Sequence, residues 1–238
     1  MTSTPTDPGA ALGRVVTQTR HLFLDFDGPI CSIFAGLKPE TVTAKLRDIL
    51  AGQAIQLPAN VAASADPFDV FAHAATISPE LAATVEATMT DLELAAVPTA
   101  EPAAYVHEVI TSCRESGRTL TIVSNNSAQA VHAYLVQHSL AGPIGTVIAR
   151  TSPDPDLLKP SPHLLDQAIA ANYADPAECT LVGDQVTDIL ATREAGTHSI
   201  GYANKPGKTD SLARAGADAV ISSLAHLALA LRARPLPN

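Results

Sequence analysis

Short apolar runs alternate with helical stretches along most of this 238-residue chain. The predicted strands are His21–Phe26, Thr119–Ser124, Gly145–Ala149, Cys179–Gly183, Thr197–Gly201 and Ala219–Ile221. Strands that are separated by helices are typical of βαβ units, whose strands pair in parallel. The sequence therefore predicts an α/β fold in which a parallel sheet is flanked by helices.

A segment of different character interrupts this alternation between the first two strands. Residues 35 to 98 are rich in alanine and have helical periodicity without a strand pattern. Helices are predicted to begin near Pro39, Pro67 and Pro79, because proline is favoured in the first turn of a helix. The segment is therefore expected to form a separate helical unit.

These patterns give a predicted domain organisation. We expect an α/β core domain of residues 19–34 and 99–238, and a small all-helical cap domain of residues 35–98 inserted into it. The first residues are polar and contain several helix breakers, so residues 1–18 are expected to be disordered.

Two acids follow the first predicted strand, in the order Asp25, Phe26, Asp27, Gly28. Gly28 lets the chain turn away, so that both side chains can lie above the end of the strand. Two carboxylates held this close are costly unless a positive group lies between them, and Mg²⁺ would satisfy that need. Taken alone, such a pair is also typical of a solvated turn.

The second and third candidate motifs are a hydroxyl and a basic residue. Ser124 and Asn125 end the second predicted strand and lead into a helical stretch from Ala128 to His138. A hydroxyl and free backbone N–H groups at a helix start can hold phosphate, although Ser124 taken alone is more typical of an N-cap. Lys159 precedes Pro160, which is expected to begin the following helix and whose fixed φ would hold the lysine stem in a defined direction.

The fourth motif follows another strand and contains Gly183, Asp184 and Asp188. If a helix begins just past Asp184, the two acids lie one turn apart on the same face and look toward one pocket. Asp188 could also be explained as an acid that favours the N-terminus of a helix.

Together the four motifs resemble the haloacid dehalogenase superfamily of hydrolases, in particular its phosphoglycolate phosphatase-like branch with a helical cap. The resemblance covers roughly residues 19 to 221. It implies a Rossmann-like core, Asp25 as nucleophile, Asp27 as acid and base, and phosphate binding by Ser124, Asn125 and Lys159. It further implies Mg²⁺ bound by Asp25, Asp27 through its carbonyl and Asp184, with Asp188, Gly28 and Gly183 in support.

Asp27 separates reaction types within the superfamily, since members that release halide lack this second acid. The resemblance therefore favours an Mg²⁺-dependent phosphatase acting on a small phosphate monoester through an aspartyl-phosphate. A sugar-phosphate mutase and a catalytically silent binding module of the same fold are the alternatives. Pro29 and Ile30 depart from the small or hydroxylated residues usual after this motif, which leaves details of substrate approach open.

Composition limits the partners of the protein. The net charge of −9 and the pI near 5.2 argue against nucleic acid or an anionic membrane surface. No apolar run reaches the length of a membrane span, and three scattered cysteines fit a reducing compartment. We expect a cytoplasmic monomer or homodimer that binds a small phosphorylated metabolite.

One further loop resembles a nucleotide-binding motif. Residues 201 to 209 resemble a Walker A loop, but the spacing is one residue too long and Tyr202 stands where a glycine is needed. We therefore interpret this segment, which contains Lys208, as a surface loop on the rim of the core.

Overall fold

A computed structural model, which describes residues 8–37 and 39–236, confirms the predicted fold class. Its strands are β1 (His21–Leu24), β2 (Cys31–Ser32), β3 (Glu101–Pro102), β4 (Thr119–Ser127), β5 (Thr146–Arg150), β6 (Cys179–Gly183), β7 (His198–Tyr202) and β8 (Ala219–Ile221). Six of them form one parallel sheet, and β2 and β3 form a separate antiparallel pair. The predicted strands are thus confirmed, although β1 is two residues shorter and β4 three residues longer than expected.

The order of strands in the large sheet is β5-β4-β1-β6-β7-β8. Strand β1 lies between β4 and β6, and Leu24 is in register with Ile122 on one side and Val182 on the other. The chain builds outward from β1 in one direction and then in the other. Sheets of this kind bind ligands at the carboxyl ends of the strands where the order reverses.

The helices connect the strands and cover both faces of the sheet. They are α1 (Pro8–Gln18), α2 (Pro39–Gly52), α3 (Ala59–Ala63), α4 (Pro67–Ile77), α5 (Pro79–Ala96), α6 (Val106–Glu115), α7 (Ala128–Gln137), α8 (His163–Ala171), α9 (Val186–Ala195), α10 (Lys208–Ala215) and α11 (Leu224–Arg232). In the part of the chain that the structure describes, no helix is long and apolar enough to cross a membrane.

Helices α2 to α5 fill residues 39–96, which we call the cap segment. The predicted starts at Pro39, Pro67 and Pro79 are confirmed. Asp66 and Ser78 cap α4 and α5 by accepting hydrogen bonds from backbone N–H groups of the first turn. The division of the chain into a core and a cap domain stays a prediction.

The expected disorder of residues 1–18 is wrong for the described residues 8–18. These residues form α1, and its Leu12, Val15 and Val16 are buried in the core. Their i, i+3, i+4 spacing places the three side chains on one face of the helix, which outweighs the breaker-rich residues before it. Residues 1–7 lie outside the described part of the chain.

Alternate residues of β1 divide the hydrophobic core between the two faces of the sheet. Leu22 and Leu24 belong to a cluster that also contains buried side chains of α1, α6, α7 and α11. Phe23 points to the opposite face. It belongs to a cluster that includes side chains of α8 and the cap segment, among them Phe71 and Met89. The cap segment therefore packs into the same apolar cluster as one face of the sheet.

Candidate active site

Three carboxylates converge where β1 and β6 end side by side. Asp25 directly follows β1, Asp184 directly follows β6, and Asp188 lies in the first turn of α9. All three are buried, and each offers an oxygen that lies within 4.8 Å of the others. Parallel strands produce this convergence because the carboxyl ends of neighbouring strands share one edge of the sheet.

Lys159 joins two of these acids. Its Nζ lies 2.9 Å from Asp25 Oδ1 and 2.7 Å from Asp188 Oδ1, and it also donates to the carbonyl of Val123 at 3.0 Å. The lysine side chain is only 2% exposed, so its charge depends on these partners. Burial disfavours the charged ammonium form of Lys159. The carboxylates of Asp188 and Asp25 outweigh this effect and raise the pKa of Lys159.

The acids of the first motif hold protons more tightly than exposed aspartates do. Burial raises the pKa of Asp25 to about 7, with Lys159 opposing this and Asp188 and Asp184 adding to it. Burial likewise raises the pKa of Asp27 to about 6, partly offset by the hydrogen bond that the Ile33 N–H donates to its Oδ1 at 3.0 Å. Asp27 can therefore exchange a proton near neutral pH.

Two glycines allow the acids to approach the backbone. Gly28 has a φ of +109°, and a Cβ there would lie 2.6 Å from Cγ of Asp184. A Cβ at Gly183 would lie 2.3 Å from Cγ of Asp188. Asp188 in turn accepts the Gln185 N–H at 2.9 Å and completes a capping box, so one residue both starts α9 and binds the lysine.

The second motif lies beside this cluster, at the end of β4. Ser124 is buried, and its Oγ accepts the Asn126 N–H at 3.1 Å. Ser127, not Ser124, caps α7, because β4 continues three residues further than predicted. Asn125 exchanges two hydrogen bonds with the backbone of Lys159, at 3.0 Å to its carbonyl and 2.9 Å from its N–H. Asn125 thereby fixes the lysine that reaches Asp25.

Pro160 does not begin the helix that follows Lys159. Helix α8 starts at His163, with Pro162 at its N-cap position. Pro160 lies in the turn before it, so it shapes the approach of the lysine rather than the first turn of the helix.

Sequence reasoning missed two contacts of Asp184. Asn204 Nδ2 donates to Asp184 Oδ2 at 3.0 Å, and the ammonium of Lys208 also contacts that oxygen. Both residues lie in the segment of residues 201–209 that was interpreted as a surface loop, but Lys208 is the first residue of α10. The position of this segment after β7 could have indicated these contacts, because β7 pairs with β6 and ends at the same edge of the sheet as Asp184.

A second group of missed residues lies between β5 and the cap segment. Arg150, the last residue of β5, is buried and forms ion pairs with Glu86 and Glu93 of α5. The sequence signal was a charged residue within an apolar run, since Glu93 stands between Leu92 and Leu94.

The described residues fit a divalent cation such as Mg²⁺. Oδ1 of Asp184 is buried without a hydrogen-bond partner, whereas its Oδ2 is held by Asn204 and Lys208. In Asp25, Oδ1 accepts the hydrogen bond from the Phe26 N–H and also forms the ion pair with Lys159. Hard carboxylate oxygens in a buried cluster are the ligands that Mg²⁺ prefers.

The fold and the site together define a doubly wound α/β protein in which a cluster of acids, contacted by Lys159 and Lys208, lies at the reversal of strand order. The chain belongs to the haloacid dehalogenase-like hydrolase family, whose model matches residues 64–202. The predicted membership is thereby confirmed.

Similar proteins include named phosphatases. A phosphoglycolate phosphatase of Vibrio vulnificus (strain CMCP6) is 32% identical over 123 residues, which are 51% of this chain and 53% of the relative. The pyrophosphatase PpaX of Anoxybacillus flavithermus is 34% identical over 98 residues, 41% of this chain and 45% of the relative. The chain thus spans about half the length of the curated relatives it matches.

Solved structures share the fold over nearly the whole chain. A predicted phosphatase from Clostridium acetobutylicum has a TM-score of 0.70 at 15% identity and covers 89% of this chain and 97% of its own. CbbY from Rhodobacter sphaeroides, solved in complex with phosphate, has a TM-score of 0.65 at 16% identity, with coverages of 88% and 96%.

Proposed function

We propose that this protein is a phosphatase that hydrolyses a small phosphate monoester through an aspartyl-phosphate on Asp25. The observation that carries the proposal is the contact of Lys159 with both Asp25 and Asp188, inside a buried cluster that also contains Asp184. A buried lysine next to several acids supplies charge for phosphoryl oxygens, and one of the acids can act as nucleophile.

The first half-reaction transfers the phosphoryl group to the enzyme. A carboxylate oxygen of Asp25 attacks phosphorus, the bond from phosphorus to the ester oxygen breaks, and the leaving alcohol takes its proton from Asp27. Lys159, already oriented by Asn125, stabilises the negative charge on the phosphoryl oxygens. The raised pKa of Asp27 leaves part of its population protonated near neutral pH, which this step requires.

The second half-reaction returns the enzyme to its starting state. Asp27, now a carboxylate, takes a proton from water, and the water oxygen attacks phosphorus. The bond between phosphorus and Asp25 breaks, inorganic phosphate leaves, and the carboxylate of Asp25 is restored. One acid thus serves both halves of the reaction.

Asp25, Asp184 and the backbone carbonyl of Asp27 would hold Mg²⁺, with Asp188 in support. When bound, the ion supplies charge neutralisation for the crowded acids and the phosphate. Ser124 lies in β4, the strand beside β1, and would bind a phosphoryl oxygen. We further propose that the cap segment selects among small phosphorylated metabolites, since fold alone does not determine the substrate.

A panel of phosphate monoesters with Mg²⁺ tests the proposal. We expect released phosphate from the intact protein, and none above background from Asp25→Asn. Asp48→Asn, an exposed acid on α2, is the matched control and should keep full activity. Substantial turnover by Asp25→Asn would refute the assigned nucleophile. An isomerised sugar phosphate would favour a mutase, and no reaction with any ester would favour a binding module.

A further inference from the structure

Arg150 is a buried cation whose five N–H groups all have acceptors. The Arg150 side chain is 1% exposed. Its Nε donates to Glu86 Oε1 at 2.9 Å. Nη1 donates to the Asn125 carbonyl at 2.6 Å and to Glu93 Oε1 at 3.2 Å, while Nη2 donates to Glu93 Oε2 at 3.0 Å and to Thr90 Oγ1 at 3.3 Å. A buried guanidinium is stable only when it is matched in this way.

Glu93 is satisfied just as fully, and its other partners belong to the core. Besides the bidentate contact with Arg150, Oε1 accepts from Asn126 Nδ2 at 3.0 Å and Oε2 accepts from the Ser127 N–H at 2.8 Å. Glu93 is only 2% exposed. A carboxylate on a helix of the cap segment therefore holds the end of β4 and the residue that caps α7.

The same network reaches the candidate catalytic groups through Asn125. Its carbonyl is held by Arg150, and its side chain exchanges two hydrogen bonds with the backbone of Lys159. Lys159 in turn contacts Asp25. An unbroken series of hydrogen bonds and ion pairs thus runs from Glu93 on α5 through Arg150 and Asn125 to the lysine beside the nucleophile.

We propose that Arg150 and Glu93 are positioning residues, which join α5 to residues 125–127 at the end of β4 and thereby set the place of Lys159. On this view α5 is a structural part of the proposed phosphate site, although it lies in the cap segment. The consequence for turnover rests on the proposed function. The consequences for phosphate binding and for the end of β4 do not.

The test uses Glu93→Gln, which keeps the shape of the side chain and removes its charge. Glu178→Gln is the matched control, because Glu178 forms a half-exposed ion pair with Arg20 at the amino ends of β1 and β6, whereas Arg150 lies at the carboxyl end of β5. Three quantities are measured for the full chain: the affinity for inorganic phosphate in the presence of Mg²⁺, the hydrogen exchange rate of the Ser127 amide, and KM and kcat for any ester that is hydrolysed.

For Glu93→Gln we expect phosphate affinity to fall on the order of tenfold, because the charge-assisted hydrogen bonds that orient the end of β4 are weakened. The Ser127 amide should exchange faster, and KM should rise even at temperatures where the variant remains fully folded. Glu178→Gln should change none of these quantities. If Glu93→Gln does not fold, Glu86→Gln serves, since the Glu86 side chain is 18% exposed and its Oε1 accepts hydrogen bonds from Arg150 Nε and Thr90 Oγ1.

The outcomes separate this inference from the proposed function. Unchanged phosphate affinity and unchanged Ser127 exchange in a folded Glu93→Gln protein would overturn the inference, even if the protein were less stable. Weakened phosphate binding in a protein that hydrolyses no ester would support the inference and count against the proposed function alone.

Discussion

Replacing Lys159 with methionine should destabilise the protein strongly in the absence of Mg²⁺. The substitution keeps most of the side-chain volume but removes the ammonium between Asp25 and Asp188. Breaking a buried ion pair from one side costs about 3–5 kcal/mol, because the remaining charges stay buried without compensation. With a urea m-value of about 3 kcal/mol/M, the unfolding midpoint should fall by about 1 to 1.7 M.

The same reasoning gives the dependence of this loss on pH and on metal. Protonation removes the uncompensated charge, so the loss should be smaller at about pH 5 than at about pH 8. A divalent cation offsets the same charge, so Mg²⁺ should stabilise Lys159→Met by more than it stabilises the unaltered protein.

Urea unfolding followed by circular dichroism, with chelator or with Mg²⁺, measures these effects. Lys45→Met is the control, because Lys45 is an exposed lysine on α2. The reasoning is refuted if Lys159→Met shifts the midpoint in chelator no more than Lys45→Met does, or if Mg²⁺ stabilises both variants equally.

Three further predictions concern the acids around this lysine. Gly28→Ala should cost about 1–3 kcal/mol of unfolding free energy, because the residue has a positive φ and its new Cβ would meet Asp184; Gly52→Ala, whose Cβ meets nothing within 4 Å, should be neutral in the same urea titration. Lys208→Met should bind Mg²⁺ more tightly by calorimetry, since it removes a cation that contacts Asp184, and weaker binding would contradict this. In chelator, Asp25 with its pKa of about 7 keeps a proton in the folded protein that the unfolded chain has lost. The melting temperature should therefore fall as the pH rises from about 4 to about 7, and it should fall less in Asp25→Asn.

The sequence predicts the parts of this molecule that depend on local patterns. Alternating strands and helices predicted the parallel sheet, and prolines, which are favoured in the first turn of a helix, predicted the starts of α4 and α5. The convergence of Asp25 and Asp184 could also be expected, because residues after parallel strands meet at one edge of the sheet.

Features that depend on distant pairing could not be predicted in this way. Arg150 and Glu93 are 57 residues apart in the chain, and no sequence pattern around either residue indicates that the two form an ion pair. Lys208 contacts Asp184 only because β7 adds to the sheet beside β6. Helix α1 was missed because its stability comes from the core it packs against rather than from its own composition.

The short ribbon of β2 and β3 brings the two ends of the cap segment side by side, through the pairing of Cys31 with Pro102. Because both ends of the cap segment lie at this ribbon, another helical segment inserted there would leave the connections of the six-stranded sheet unchanged. Such an exchange would succeed only if the incoming module carried a carboxylate able to meet Arg150. The design of such an exchange therefore depends on the partner of Arg150 as much as on the two junctions at β2 and β3.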